Sequence, residues 1–117
     1  MAEIRAVFAD YEAALRGNDV EHLNNCFLDH ADTVRCGVAD LQRGADAIRR
    51  WRASAAPVHP QRRIGNTVIM TFGHDLATVY ADFTAPDTTL NGRQTQTWVR
   101  TSSGWRIACA HVSLGPV

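Results

Sequence analysis

The feature that most constrains the fold is a strand-like stretch at residues 93–113, which the turn-type sequence Thr-Ser-Ser-Gly at residues 101–104 interrupts. Two strand-like runs around such a turn predict an antiparallel β-hairpin. Side chains alternate between the faces of a strand, so Gln94, Gln96 and Trp98 are expected on one face of the first strand. This face mixes hydrogen-bonding groups with an aromatic ring.

The second strand of the hairpin shows a similar mixture. Alternation groups Ile107 with Cys109, His111 and Ser113. The opposite faces of the two strands carry small and apolar residues: Thr95, Thr97, Val99, Ala108, Ala110, Val112 and Leu114. Neither face is plainly hydrophilic, so we expect the chain's own helices to cover one side of the sheet and a partner subunit the other. The polar groups of the mixed face would then line a pocket.

The rest of the chain predicts helices first and strands afterwards. Residues 2–16 place apolar side chains at helical spacing, and Asp19 can cap a shorter helix that runs to Phe27. Further predicted elements are a short strand at 33–38, a helix at 45–55, and strands at 62–72 and 76–84. Helices gathered before an antiparallel meander indicate one α+β domain over residues 1–117. A curved sheet around the first helix would form a cone with one open mouth, a shape that forms pockets.

Charge and cysteine content exclude several function classes. The 12 basic residues, all arginine, balance 12 acidic ones, so a basic excess for nonspecific nucleic-acid or membrane binding is absent. The three cysteines are far apart and form no CxxC motif, which indicates free thiols. No signal peptide or apolar span is apparent, so a cytoplasmic location is expected.

The histidines predict neither a metal site nor a nucleophilic dyad. None of the five has a ligand-like spacing to a second histidine, a cysteine or a carboxylate, so no metal and no cofactor are expected. His111 and Ser113 are two residues apart on a strand, about 7 Å, which disfavours a direct base–nucleophile pair. His111 is left with two roles, a hydrogen-bonding group of the pocket or a satisfied histidine of the core.

Two polar residues on otherwise apolar faces are candidate pocket groups. Tyr11 lies on the apolar face of the first helix, either as a core aromatic or as a phenol that donates to a ligand. Arg35 alternates with Val34 and Cys36 on the short strand. Its guanidinium either pairs with a structural carboxylate, for which Asp32 and Asp82 are candidates, or binds an anionic ligand, the role we favour.

The other arginines are mostly assigned to solvated faces. The third helix is predicted to bury Ile48 and Trp51, and the place of Arg52 on its inner face is left open. The arginine cluster around Trp51 is otherwise interpreted as a solvated helix face. The same interpretation is given to Arg62, Arg63 and Arg100.

Four segments together resemble a known family: Tyr-Glu-Ala-Ala-Leu at 11–15, Thr-Val-Arg-x-Gly-Val at 33–38, Gly-Arg-Gln-x-Gln-Thr-Trp-Val-Arg at 92–100, and Gly-Trp-Arg-Ile followed by Ala-His-Val-Ser at 104–113. In this order they resemble the AtzH/HpxZ-like proteins, which have the NTF2-like (SnoaL-like, cystatin-like) cone fold. The resemblance runs over nearly the whole chain. One departure is Cys36, where relatives often carry an aromatic residue.

The resemblance implies a function and a set of site residues. It implies a small cofactor-free hydrolase that converts a carboxylated urea or amide, of the type of 1,3-dicarboxyurea deamination to allophanate, in cyanuric acid (s-triazine) or ureide catabolism. The family's functional tyrosine and arginine fall on Tyr11 and Arg35. Gln96, His111 and Ser113 are then expected to bind carboxylate or urea groups. Further candidate substrate-binding residues are Arg93, which flanks the glutamines, Phe83 and Trp98, and Trp98 is alternatively an anchor of the core or of an interface. The expected partners are an anionic ureide-like substrate, a second copy of the chain and an amidase.

Two other functions stay open at this point. The cone could hold a ureide, or assist an amidase, without catalysing a reaction, because no strong base or nucleophile stands out. A ketosteroid-isomerase-like enzyme would need a buried carboxylate beside a phenol, and Asp82 is the only obvious strand carboxylate. A homodimer is expected through the second sheet face, namely Thr97, Val99, Ala108, Ala110 and Val112.

Overall fold

Three helices and six strands make up residues 2–116, the part of the chain that the computed structural model describes. In chain order they are α1 (Ala2–Gly17), α2 (Val20–Cys26), β1 (Val34–Cys36), β2 (Leu41–Arg43), α3 (Ala45–Ser54), β3 (Arg63–Phe72), β4 (Leu76–Thr84), β5 (Asn91–Thr101) and β6 (Gly104–Gly115). The predicted α+β class is therefore confirmed. None of the helices described here combines the length and the hydropathy that a transmembrane span needs.

All six strands form one sheet in the order β2-β1-β6-β5-β4-β3. Strands β3 to β6 are the predicted antiparallel meander, while β1 pairs in parallel with β6 and antiparallel with β2. The sequence analysis missed β2, since its three residues are too few for an alternating pattern to show. The pairing of β1 with β6 brings residues from the first third of the chain beside the final strand.

Helix α1 lies against the inner face of the sheet because its apolar residues recur at helical spacing. Ile4, Phe8 and Leu15 are buried, and Tyr11 meets Trp98 of β5 edge to face with 6.3 Å between ring centroids. Helix α2 begins at the predicted cap, where Asp19 Oδ1 accepts a hydrogen bond from the backbone N–H of His22 at 3.1 Å. These contacts form the core over which the sheet curves.

A β-bulge in the final hairpin changes which side chains face inward. Thr97 pairs with Cys109, but the next residue, Trp98, pairs with Ile107, so Ala108 is an extra residue on β6. Beyond this bulge the alternation of β6 is reversed.

The reversal makes the predicted grouping of Cys109, His111 and Ser113 with Ile107 wrong. In register these three residues lie opposite Thr97, Thr95 and Arg93 on the outer face. Ala110 and Val112 pair with the buried Gln96 and Gln94 instead, so they face inward and not toward a partner subunit. Simple alternation cannot anticipate this, because one inserted residue exchanges the two faces.

A buried ion pair joins α1 to the sheet. The Arg62 guanidinium donates to both carboxylate oxygens of Glu12, at 3.1 and 3.3 Å, and to Gln94 Oε1 at 3.0 Å. The Gln94 amide completes the network by donating to Glu12 Oε2 at 2.9 Å. The predicted solvated position of Arg62 is wrong, since this guanidinium lies inside the cone and stacks 3.7 Å from the centroid of the Phe83 ring.

We expect Glu12→Gln to lower the free energy of unfolding by about 3 kcal/mol, because it leaves the Arg62 charge buried without a counter-ion. Urea unfolding followed by circular dichroism measures the change. Glu21→Gln on the exposed surface of α2 is the matched control, with an expected effect within about 0.5 kcal/mol. Adding Arg62→Met to Glu12→Gln should recover part of the loss. Equal unfolding midpoints for Glu12→Gln and Glu21→Gln would contradict a structural role of the pair.

Candidate functional site

The candidate site is a cavity of about 330 Å³ on the inner side of the sheet. Its polar lining includes residues of α1 (Tyr11), β1 (Arg35), α3 (Arg52) and β5 (Gln94 and Gln96), together with Arg62 just before β3. Apolar side chains form much of the remaining wall: Leu15, Leu23, Trp51, Val58, Phe83 and Leu114. A few convergent polar groups in a mostly apolar cavity are typical of a small-molecule site.

Tyr11 enters the cavity from the middle of α1. Its ring is only 5% exposed and is held edge to face by Phe27, at 6.4 Å between centroids, as well as by Trp98. Burial raises the pKa of the Tyr11 phenol, and the nearby Arg52 opposes the rise. The hydroxyl is therefore protonated at neutral pH and is available as a hydrogen-bond donor.

Arg35 points inward because it pairs in register with the inward-facing Ala110. Its Nη1 donates to Asp40 Oδ1 at 2.5 Å and to Gln42 Oε1 at 3.0 Å, and its Cζ lies 3.6 Å from the centroid of the Trp51 ring. The sequence left two interpretations of Arg35 open, a structural ion pair or a group of the ligand pocket, and its position in the structure has features of both. It lines the cavity and it has a carboxylate partner, which is Asp40 instead of the expected Asp32 or Asp82.

The turn between β1 and β2 brings Asp40 to Arg35. The backbone N–H of Gly37 donates to the carbonyl oxygen of Asp40 at 2.8 Å, which closes the turn. A Cβ atom at Gly37 would lie 2.5 Å from Asp40 Oδ1 and 2.7 Å from Arg35 Nη1. A side chain at this position would therefore push the ends of the Asp40 and Arg35 side chains away and disturb the ion pair.

Arg52, near the end of α3, is the polar residue that the sequence analysis did not place in the site. It is 8% exposed, and its Nε and Nη2 have no hydrogen-bond partner within the described part of the chain. Its Cζ lies 4.7 Å from the Trp51 ring centroid and 6.0 Å from that of Phe27. The sequence analysis left its place on the inner helix face open. The structure places it there, because Arg52 follows the buried Ile48 by four residues and both lie on one helix face. Arg50, in contrast, is exposed as predicted.

The two glutamines of β5 have different neighbours. Gln94 is held by the Glu12–Arg62 network. Gln96 Oε1 accepts a hydrogen bond from Trp98 Nε1 at 2.9 Å, which fixes the amide in the wall of the cavity. Trp98 itself is buried beneath Tyr11 and supports the site from the core.

The remaining predicted binding residues are divided between the cavity and the outer face. Phe83 lines the cavity. His111 borders the cavity, but its side chain is exposed and on the outer face of β6. Ser113 is also on that face, and the exposed Arg93 donates from Nη2 to the carbonyl oxygen of Pro116 at 3.2 Å. The structure therefore brings Tyr11, Arg35, Gln96 and Phe83 together and leaves Ser113 and Arg93 outside.

Asp82, the strand carboxylate considered for isomerase-type chemistry, does not line the cavity. Asp82 Oδ1 accepts a hydrogen bond from the backbone N–H of Asn66 at 2.8 Å, and Asp82 pairs in register with Arg93 on the outer face. Over residues 2–116, no three His, Cys, Asp or Glu side chains are grouped so that they could hold a metal ion.

The Tyr11 phenol should ionise only above pH 10, the ordinary pKa of tyrosine, because burial disfavours the phenolate. The chain has two tyrosines, so Tyr80→Phe leaves Tyr11 as the only source of phenolate absorbance in an alkaline titration. Circular dichroism during the titration checks that the protein stays folded. Half-ionisation at or below pH 10 in the folded protein would contradict the burial of the hydroxyl.

Comparison with solved structures supports the fold and the family. A cystatin-like fold protein from Burkholderia xenovorans LB400 is 47% identical, with a TM-score of 0.97 over 99% of this chain and 92% of that one. A protein of unknown function from Pectobacterium atrosepticum is 43% identical, with a TM-score of 0.94 over 98% of this chain and 90% of that one. A putative ketosteroid isomerase from Parabacteroides distasonis shares the fold at 14% identity, with a TM-score of 0.78 over 93% and 85% of the two chains.

A search of curated proteins gave no match. The family model described as AtzH-like matches residues 1–116. The two similar structures and the four sequence segments agree with this match. The expected NTF2-like, cystatin-like cone is therefore confirmed, and the chain belongs to the AtzH-like family.

Proposed function

We propose that the protein is a cofactor-free hydrolase that cleaves a C–N bond of a small carboxylated urea or amide. The observation that carries this proposal is the position of a protonated phenol, Tyr11, in a cavity that the guanidinium groups of Arg35, Arg52 and Arg62 also line. A cavity of about 330 Å³ suits a small ligand, and the unpaired guanidinium of Arg52 suits an anionic one.

The proposed step uses Tyr11 as a proton donor. Arginine side chains hold a carboxylate of the substrate, and the phenol donates to the carbonyl oxygen or to the leaving nitrogen, where charge develops. Water adds to the carbonyl carbon, the C–N bond breaks, and the nitrogen leaves with a proton. A terminal amide releases ammonia in this step. For 1,3-dicarboxyurea, water adds to one terminal carboxyl carbon and the bond from that carbon to nitrogen breaks, which gives allophanate and bicarbonate. This step releases no ammonia, so the deamination that the resemblance implied is corrected to the loss of a carboxyl group.

The test is conversion of 1,3-dicarboxyurea, generated in place by a carboxybiuret hydrolase, with allophanate and bicarbonate as the measured products. Tyr11→Phe removes the donor and should lower the rate at least about a hundredfold. Arg35→Lys keeps the charge but loses the planar contacts to Asp40 and Trp51, and should lower the rate at least about tenfold.

The matched controls are Tyr80→Phe on the outer face and Arg50→Lys on the exposed face of α3, and both should keep the wild-type rate. An active enzyme in which Tyr11→Phe and Arg35→Lys behave like these controls would refute the proposed roles. An inactive but folded wild-type protein would refute this substrate.

A binding or accessory role is the second candidate function, and one observation favours it. Of the described carboxylates, only those of Asp40 and Asp87 border the cavity, and Asp40 is already paired with Arg35. Asp87 is exposed on the loop between β4 and β5. Among residues 2–116, no carboxylate is thus both unpaired and buried in the cavity, where it could act as a general base. A thermal shift that grows with ureide concentration while no product forms would support this role. An isomerase role is disfavoured, since Asp82 lies outside the cavity.

We also propose that two copies of the chain associate through the outer face of β3 and β4. Val68, Met70 and Phe72 are exposed there at 53%, 51% and 49%, beside the exposed Leu76. This surface differs from the one that the sequence analysis named, because the bulge turns Ala110 and Val112 inward. An apolar row of this kind is typical of a protein–protein contact.

Light scattering at micromolar concentration should give twice the mass of one chain for the wild type. Met70→Glu should give the mass of one chain, because it places a charge within the apolar row. Asn25→Glu on α2 is an exposed control that should stay dimeric. A wild-type protein of monomeric mass would contradict the proposed association.

A further inference from the structure

The cavity contains a buried guanidinium that the described part of the chain does not neutralise. Arg52 is more than nine-tenths buried, its Nε and Nη2 lack partners, and no described carboxylate oxygen lies within ion-pair distance of it. Burying a charge without a counter-ion is strongly unfavourable, so such a group is rare in a folded protein unless it has a function.

The other two arginines of the cavity have partners. Arg62 forms an ion pair with Glu12 and a hydrogen bond with Gln94, and Arg35 is paired with Asp40. Arg52 is thus the cavity arginine whose charge is left for a ligand. Burial lowers the pKa of Arg52, and the neighbouring Tyr11 hydroxyl opposes this effect. The guanidinium stays cationic at neutral pH, as arginine does in proteins.

The two free nitrogens of Arg52 also define the shape of the missing partner. Nε and Nη2 lie along one edge of the planar guanidinium and present two parallel N–H donors. A carboxylate accepts such a pair through both of its oxygens. Trp51 and Phe27 lie beside the guanidinium and restrict its orientation.

We propose that Arg52 is a carboxylate-binding subsite of the cavity, separate from the ion pair at Arg35. A carboxylate held on the Nε–Nη2 edge lies close to Tyr11, because both side chains line the same cavity and both lie beside the Phe27 ring, whose centroid is 6.0 Å from Arg52 Cζ and 6.4 Å from the centroid of the Tyr11 ring. The adjoining carbonyl or amide of the ligand is then presented to the phenol. This proposal adds to the proposed function the group that orients the substrate. It rests on the proposed function in one respect, the chemical class of the ligand.

The test is calorimetric titration with oxamate, a small carboxylate with an adjoining amide, and with oxamide, its uncharged analogue. The wild type should bind oxamate and should bind oxamide at least about tenfold more weakly. Arg52→Met should weaken oxamate binding at least about tenfold and leave oxamide binding unchanged. The oxamate affinity of Arg52→Lys should lie between those of the wild type and Arg52→Met, because lysine keeps the charge and loses the two-donor edge. Arg50→Met, the same change on the exposed face of α3, should bind like the wild type.

Thermal unfolding without ligand separates this role from a structural one. Removing an unpaired buried charge should leave the Tm of Arg52→Met unchanged or raise it. Unchanged oxamate affinity in Arg52→Met, or no oxamate binding by the wild type at millimolar concentration, would overturn the subsite. The titration involves no turnover. Oxamate binding through Arg52 without hydrolysis of 1,3-dicarboxyurea would therefore reject the proposed reaction and keep the subsite.

Discussion

The buried pairing of Glu12 with Arg62 is the contact on which the geometry of the site depends. It joins the middle of α1 to the residue that precedes β3, and through Gln94 it reaches β5. Glu12 is adjacent to Tyr11 in the chain, so the network also fixes the rotation of the helix that aims the phenol into the cavity. A buried ion pair adds little net stability over apolar packing, but it tolerates few alternative arrangements. Its value here lies in holding one helix at one angle inside the sheet.

The cavity distributes its charges unevenly. Two arginines, Arg35 and Arg62, have carboxylate partners that hold them in place, while Arg52 has aromatic neighbours and no counter-ion. A protein selected only for stability would replace such a residue with an apolar one. A site that must bind an anion gains from keeping it, since a guanidinium that is already desolvated and oriented loses little on binding. The unpaired charge of Arg52 thus marks a position at which the fold is less stable than it would be with an apolar residue.

Much of the fold was predictable because the periodicity of the chain is clear. The helical face of α1 and the alternation of β4 and β5 identified the elements, and the order of helices before strands indicated the α+β class. The inward position of Tyr11 follows from the helical face of α1, and that of Gln96 follows from its alternation with Gln94 and Trp98. Arg35 and Phe83 were expected at the site, but periodicity alone did not assign them to the inner face. The missed features have local causes, since β2 is three residues long and the bulge at Ala108 leaves no signature in the pattern of β6.

By itself the sequence determined the α+β class, because that class depends on spacing within single elements, and the resemblance of four segments to a known family implied the cone and the roles proposed for Tyr11 and Arg35. Only the tertiary structure decided which charges meet. Arg35 forms an ion pair with Asp40 across a turn, and Glu12 forms one with Arg62, which is 50 positions away in the chain. Arg52 met no described carboxylate. Ion pairing depends on distances of a few ångströms between residues far apart in the chain, which periodicity does not encode. The bulge likewise decided that His111 and Ser113 face outward, because one extra residue reverses the faces of a strand.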